Sequence, residues 1–474
     1  MRSDPAKMQE QELELQAIIG FKGSVSGGLI LRPGQEHLIF PLGCTVVPRN
    51  LLKKTQCFLQ GHDNQVNCIT VSKSGNLLAS GQKTFMGFPA DVIIWDFNAR
   101  REIHRLSLHK VAVTSLAFSY NEMYLATLGG QDDNSLVVWE VETGQAVCGT
   151  PAASDTAHSV VFFNNTEFSL VTGGNYHVVV WQFDLPNKKL RASPANLGQL
   201  RRITTNLSID EDDKVVYAGT TTGDILQIDL SRALFKQSCP RGGVTRLFSL
   251  GVTCSKLLTD GDVLIGTGDG TIARICRDSL RIKGQCQVLG GVTSLALTSD
   301  GTHFFAGSIL SNIYWVDVDT LTAELRNTCH HERINYVAFP AGYSEVFATC
   351  SITDIRVWNA TTRQELLRIQ VPNMECYCLD FMRDGRSIVS GWSDGKVRAF
   401  LPQSGKLLYA INDAHKNGVT ALALASDCSR IVSGGMEGEV RVWRIGQQTQ
   451  TMDTPLKEHR GRVWCIRIQG WSEI

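Results

Sequence analysis

No charge of either sign predominates in this sequence: its 474 residues carry 46 Lys and Arg and 46 Asp and Glu. Proteins that hold nucleic acid or a membrane surface mainly by electrostatics usually carry a basic excess, so the balance argues against both as partners. Long apolar runs are missing too. A spanning helix needs about 20 consecutive apolar residues, and the strand-like run Val178-Val179-Val180-Trp181 is far shorter. The opening residues, Met1-Arg2-Ser3-Asp4-Pro5, are polar and lead to Glu10, Glu12 and Glu14, without the apolar centre of a signal peptide. The expectation is a soluble, non-secreted chain of the cytoplasm. Wholesale disorder is excluded, because 43% hydrophobic against 19% charged residues can bury a core.

Signatures of chemistry are equally scarce. No Gly-x-Ser-x-Gly elbow and no zincin His pair occurs. Gly266-Thr267-Gly268-Asp269-Gly270 suggests a phosphate loop, but it lacks the Lys-Ser/Thr ending and precedes a strand pattern, so it reads as a hairpin turn. His330-His331-Glu332 suggests a metal or acid–base cluster. His330 lies 28 residues before Trp358, as His415 lies 28 before Trp443, which makes it a repeat position. The 14 cysteines are scattered from Cys44 to Cys465 and read as thiols in a non-secreted chain. Only Cys376 and Cys378 are close. On a strand that spacing puts both on one face, and with no second Cys/His pair at zinc-ligand spacing they read as buried small hydrophobes. No residue is therefore assigned a catalytic, cofactor-binding or metal-ligating role, and no cofactor or small-molecule substrate is expected.

What is abundant is glycine, with 43 residues, and tryptophan, with nine. The tryptophans end apolar runs that recur: Val92-Ile93-Ile94-Trp95, Leu136-Val137-Val138-Trp139, Val178-Val179-Val180-Trp181, Ile313-Tyr314-Trp315, Ile355-Arg356-Val357-Trp358, Val397-Arg398-Ala399-Phe400 and Val440-Arg441-Val442-Trp443. The steps are 44 and 42 residues through Trp181, then 43, 42 and 43 from Trp315 to Trp443. A period of about 40–45 residues is that of a four-stranded propeller blade. Each period repeats one grammar: a His or Gly-His, an alternating strand, a polar turn, a short strand ending in Ser, Thr or Gly, an acidic turn, and the Trp strand. One such sheet has two apolar faces and cannot bury both alone; stacking in a ring buries them, so the third strand is apolar on both sides. The His, the Ser or Thr and the indole are then placed to link strands within a blade. Gly223-Asp224-Ile225-Leu226 and Gly270-Thr271-Ile272-Ala273 supply third strands without Trp, and Leu29-Ile30-Leu31 opens a first blade.

These periods resemble the WD-repeat family over roughly residues 20–468. The resemblance is most specific near the N-terminus. Gly28-Leu29-Ile30-Leu31-Arg32-Pro33-Gly34 leads to Leu59-Gln60-Gly61-His62, and then to a lengthened hairpin, Ser80-Gly81-Gln82-Lys83-Thr84-Phe85-Met86-Gly87-Phe88-Pro89-Ala90-Asp91. That combination is similar to WD-repeat proteins of motile cilia that carry two consecutive propellers. More distantly it is similar to microtubule-associated proteins of the echinoderm type. The expected fold is all-β: an N-terminal arm (1–19), one seven-bladed β-propeller (20–327), and a partial second propeller (328–474) of three blades plus one strand. The strand is Arg462-Val463-Trp464-Cys465-Ile466-Arg467-Ile468, and the family continues beyond it, so a shortened form is expected. The resemblance implies a non-enzymatic microtubule inner protein. It would bind tubulin and other inner proteins in the lumen of ciliary and flagellar doublet microtubules, and stabilise the axoneme. The alternative is a cytosolic adaptor that scaffolds a ubiquitin ligase or a signalling complex.

Three features stay open at this level. The hairpin tip, residues 85–89, is uncharged and partly apolar; it either packs on the propeller face or is a contact loop. The basic clusters Lys53-Lys54, Arg100-Arg101, Lys188-Lys189 with Arg191, and Arg201-Arg202 are either a solvated rim or part of a surface that meets acidic tubulin. Residues 8–19 are either a frayed tail or a short partner-binding helix.

Overall fold

In the computed structural model the chain is described for residues 14–34, 37–240, 247–446 and 450–468. Among these residues there are strands and turns and no helix. Two compact units divide at His331 and Glu332.

The first unit contains seven sheets of four antiparallel strands, each a simple up-and-down meander. The sheets cover 30–60, 66–110, 113–151, 157–194, 204–239, 252–287 and 292–327. Burial falls from inside to outside. In the third sheet Tyr124–Gly129 is buried at every residue and Ser135–Glu140 at its four central ones, whereas Ala146–Pro151 is largely open. Middle strands are apolar on both faces because each sheet is sandwiched between two others. Bulges recur at fixed places. The innermost hairpin slips between Val66 and Cys68, Val252 and Cys254, and Val292 and Ser294. The outer pair slips just before the tryptophan, between Ile94 and Trp95 and between Val138 and Trp139. A bulge strengthens local twist, and it recurs in the innermost hairpin of the second to seventh sheets, whereas the first sheet has none.

Adjacent sheets lock through a glycine. A Cβ on Gly81 would lie 2.7 Å from Val113, on Gly219 2.8 Å from Val252, and on Gly266 2.6 Å from Val292. In each case the β-branched residue opening the next sheet sits where a side chain would be. At the seam between the last and first sheets the same position, Gly307, receives the ring of Phe21 at 2.8 Å. Phe21 belongs to the segment preceding the first sheet. It packs with Leu29, Leu38, Phe40, Phe305 and Ile313, edge-on to Phe40 at 6.0 Å. Gly27 N–H donates to Thr293 O (2.9 Å), and Phe21 N–H meets Cys329 Sγ at 3.3 Å. Most of residues 8–19 lies outside the described residues. Its described end, 14–19, forms no helix, and Ile18 exchanges two 2.9 Å hydrogen bonds with the Gln56 side-chain amide.

In the second unit one strand, Glu365–Phe381, spans 17 residues and joins two four-stranded sets into a seven-stranded sheet; a four-stranded sheet follows. Its first half pairs with Ile352–Asn359 and its second with Ile388–Trp392. Two expectations are corrected here. Cys376 and Cys378 do not share a face: a bulge between them sets Cys376 against Trp392 and Cys378 against Gly391, so they enter different core clusters. Both are buried, and all fourteen cysteines remain thiols. Residues 462–468 do not form a strand, because no described strand pairs along them. They are held at points instead: Thr420 Oγ1 donates to Val463 O (2.6 Å), and Val463 N–H donates to Gly435 O (3.1 Å). Val463 still fills the space over Gly434. Residues 469–474 lie outside the described residues.

Candidate functional site

The polar constellations within the blades resemble Ser–His–acid triads, and their geometry assigns them a structural task. Ser80 Oγ accepts from Trp95 Nε1 (2.8 Å) and lies 2.7 Å from His62 Nε2, whose Nδ1 is 3.0 Å from Gln82 Oε1. Thr127 stands between Trp139 (2.8 Å) and His109 (2.7 Å), with Asp133 3.1 Å from the second ring nitrogen. Ser433 repeats the pattern with Trp443 and His415, both at 2.9 Å, and Glu437 at 2.7 Å. The hydroxyl accepts a hydrogen bond from the indole and donates one to the imidazole, so one relay ties two neighbouring strands to the segment that carries the histidine. Ser80, Thr127 and Ser433 are fully buried, and no substrate reaches them. Burial pushes His62 and His415 below the ordinary histidine value, the direction of a neutral ring. Burial works to raise Glu437, but hydrogen bonds from its own backbone and from His415 outweigh it and hold the carboxyl low.

One donor was missed by sequence reasoning. The period places Phe400 in a Trp position, and phenylalanine has no N–H to give. The structure supplies it from the neighbouring strand: Trp392 Nε1 donates to Ser390 Oγ (2.8 Å), with Arg398 over the ring at 5.4 Å. The only signal was Ser390 itself, a relay serine lacking its usual indole. In two sheets without Trp an acid takes over: Asp224 accepts from Thr222 Oγ1 (2.8 Å), and Asp269 accepts from Thr267 Oγ1 (2.6 Å) and from Thr271 N–H (3.0 Å). That carboxylate pins the Gly266–Gly270 turn between Val263–Thr267 and Thr271–Ile275, a hairpin and not a phosphate cradle. Among the described residues no group of three or more His, Cys, Asp or Glu is arranged to hold a metal ion.

The surface carries the remaining candidates. In the lengthened hairpin Leu77–Gln82 and Pro89–Asp96 flank a tip closed by the Phe88 N–H bond to Phe85 O, with Gly87 at φ 88°. Thr84 N–H donates to Val111 O, and Val111 N–H to Phe88 O, so the neighbouring strand braces the base. The tip itself projects: Phe85, Met86 and Phe88 are 73%, 85% and 60% exposed. These three side chains are open to solvent and do not pack down on the sheet. Exposed Lys83 and Lys110 flank the tip, and neither forms an ion pair among the described residues.

The basic clusters are spread over several sheets and partly neutralised. Arg191 pairs with Asp184 (2.5 Å) and Arg202 with Asp224 (2.9 Å). Lys54, Arg100 and Lys188 sit at φ of 55°, 55° and 50°, turn positions leading into outer strands. In the second unit the exposed large residues include Val337, Phe339 and Tyr343 near its first strand, and Trp464, over which Arg462 stacks at 4.3 Å.

Comparison with known proteins matches the WD domain, G-beta repeat, at residues 53–96, 100–140, 366–400 and 405–444. Those segments contain the relays of Trp95, Trp139 and Trp443 and the substituted one of Trp392. Over 98% of its length the chain is 49% identical to cilia- and flagella-associated protein 52 of Mus musculus, covering 74% of that protein. It is 47% identical over 98% of its length to the Homo sapiens protein of the same name, covering 75%. With the Chlamydomonas reinhardtii protein of that name it shares 49% identity over 97% of its length, covering 75%.

Proposed function

The chain belongs to the family of cilia- and flagella-associated protein 52, and from that premise we propose that it is a non-enzymatic WD-repeat scaffold of the cilium. In this reading it binds tubulin, beside other inner proteins, on the luminal wall of doublet microtubules and stabilises the axoneme. One observation carries the proposal: the similarity runs along almost the whole chain, in animals and an alga alike, to proteins named for cilia and flagella. The buried relays support a scaffold over an enzyme, because their hydroxyls serve cohesion. A neutral, sheet-built frame with a projecting apolar tip supports contacts made by shape at a few points instead of a broad charged face. The proposal includes the domain division: residues 20–327 as a seven-bladed ring, residues 328–474 as part of a second propeller, and residues 1–19 as an arm.

The test is to express the tagged chain in ciliated cells and image isolated axonemes by cryo-electron microscopy. Propeller density on the inner doublet wall, lost on deletion of the gene, is the expected result. Density elsewhere, or co-purification with ligase subunits and no axonemal protein, would overturn the luminal reading and favour a cytosolic adaptor.

A further inference from the structure

Arg462 is half-buried, yet among the described residues it forms no hydrogen bond and no ion pair, and its Nε–H is closed off from water without an acceptor. A guanidinium carries five N–H donors, and a buried donor left unpaired costs free energy that an incoming acceptor returns. Two aromatic rings hold the group in place. Its Cζ stands 4.3 Å from the ring centre of Trp464 and 5.5 Å from that of Tyr377, both within the ~6 Å reach of a cation–π contact. Each part of the arrangement has a local cause. Val463 is pinned by its N–H bond to Gly435 O (3.1 Å) and by the bond its carbonyl accepts from Thr420 (2.6 Å), which fixes its two neighbours. Tyr377 is the extra residue of the bulge, since Cys376 pairs with Trp392 and Cys378 with Gly391. A bulge re-aims a side chain, and here the ring lies over Gly418, whose added Cβ would be 3.1 Å from Tyr377 Cε2. Of the two cations near Tyr377, Arg333 is taken by Glu375 at 2.7 Å, which leaves Arg462 as the free charge. Trp464 is 76% exposed, so its indole offers open apolar surface beside the guanidinium.

We propose that Arg462 is the docking point for a carboxylate on a segment of a partner protein. One free guanidinium matches a monoanion, and its planar fork matches the two oxygens of an Asp or Glu side chain. An apolar residue next to that acid in the partner lies on the exposed indole of Trp464. A phosphate group, with about two negative charges, would call for a second free cation, which Arg333 does not supply. The site is independent of the luminal reading, because it is defined on this chain alone, whichever protein brings the acid.

The probe is a rhodamine-labelled peptide, Gly-Leu-Glu-Leu-Gly amide, titrated against the full chain by fluorescence anisotropy at low ionic strength. Control peptides carry glutamine or phosphoserine in place of the glutamate. Expected is saturable binding of the glutamate peptide, about tenfold or more weaker binding of the glutamine peptide, and no tighter binding of the phosphoserine one. Arg462→Gln abolishes the preference for glutamate over glutamine, and Trp464→Ser weakens binding of the glutamate peptide by about threefold or more. Melting temperatures within about 2 °C of the parent chain show that these variants are folded. If Arg462→Gln unfolds, Arg462→Lys keeps the charge without the fork and binds about fivefold or more weaker. No binding of the glutamate peptide, equal binding of the glutamine peptide, tighter binding of the phosphoserine peptide, or full binding by a folded Arg462 variant would overturn the proposal.

Discussion

Replacing Gly307 with alanine perturbs one interface of the first unit and no other. The new Cβ would lie 2.8 Å from Phe21 Cζ and 3.0 Å from Cε1, against about 3.5–4.0 Å for carbon atoms in ordinary contact. The ring cannot swing aside, because it is buried and held edge-on by Phe40. Overpacking of this kind costs about 1–3 kcal/mol. Since Phe21 and Gly307 sit on the two sides of the seam, the loss should appear as easier local opening there. At 1.4 kcal/mol per factor of ten, that is about a 5- to 150-fold rise in hydrogen exchange of the Gly27 amide, which bonds Thr293 O across the seam. The Gly130 amide, bonded to Ala112 O at the end of the first hairpin of the third sheet, should keep its rate. Phe21→Ala alone should cost about 3–5 kcal/mol. The double variant should fall short of the sum by about 1–2 kcal/mol, because the vacated ring space accepts the new methyl. Additive losses, or unchanged exchange at Gly27, would refute the reasoning that Gly307 is small to admit Phe21.

Acidification should weaken the fold through its relay histidines. His62 and His415 are held below the ordinary value of 6.5 by burial, so the unfolded chain takes up protons first as pH falls below about 6.5. Stability present above that pH is then lost at up to about 1.4 kcal/mol per pH unit for each histidine. Urea midpoints between pH 8 and 5.5 should show the slope, and His62→Gln with His415→Gln should flatten it; a slope that survives the double change would count against the relays as its source. Trp392→Phe should destabilise by about 1 kcal/mol, because Ser390 Oγ loses the indole donor while keeping its own bond to Arg398 O; adding Phe400→Trp should not restore it, as urea unfolding can measure. Phe85→Ser with Met86→Ser and Phe88→Ser should leave stability within about 0.5 kcal/mol, since the side chains are exposed. The same variant should reduce retention of the tagged protein on salt-washed axonemes; full retention would remove the tip from the contact surface.

The repeat was legible because two-sided burial forces runs such as Leu136-Val137-Val138-Trp139, and because the His–hydroxyl–indole relay needs fixed residue types. What escaped depends on register. A bulge sends Cys376 and Cys378 into different clusters, and no spacing rule distinguishes a bulged strand from a straight one. Trp392 takes the place of Phe400 as partner of the Ser390 hydroxyl from two residues along the same strand, outside the position where the repeat puts its indole. Residues 462–468 have the alternation of a strand, but a strand exists only where another hydrogen-bonds to it. Hairpin length was visible at 80–91, whereas the outward direction of Phe85, Met86 and Phe88 is set by the bracing at Thr84 and Val111.

The seam also sets an order of events in time. Phe21 meets Cys329 across 308 residues of sequence. At about 5–20 residues per second of synthesis, Phe21 leaves the ribosome about 15–60 s before its partner exists. Bringing such distant segments together costs about 5 kcal/mol of chain entropy, so the final closure is the step least helped by local contacts. During that interval Phe21, Leu29 and the inner face of the first sheet have no cover of their own. A newborn chain of this protein is therefore most vulnerable to misassociation just before it is long enough to finish, and that is when a chaperone would have most to do.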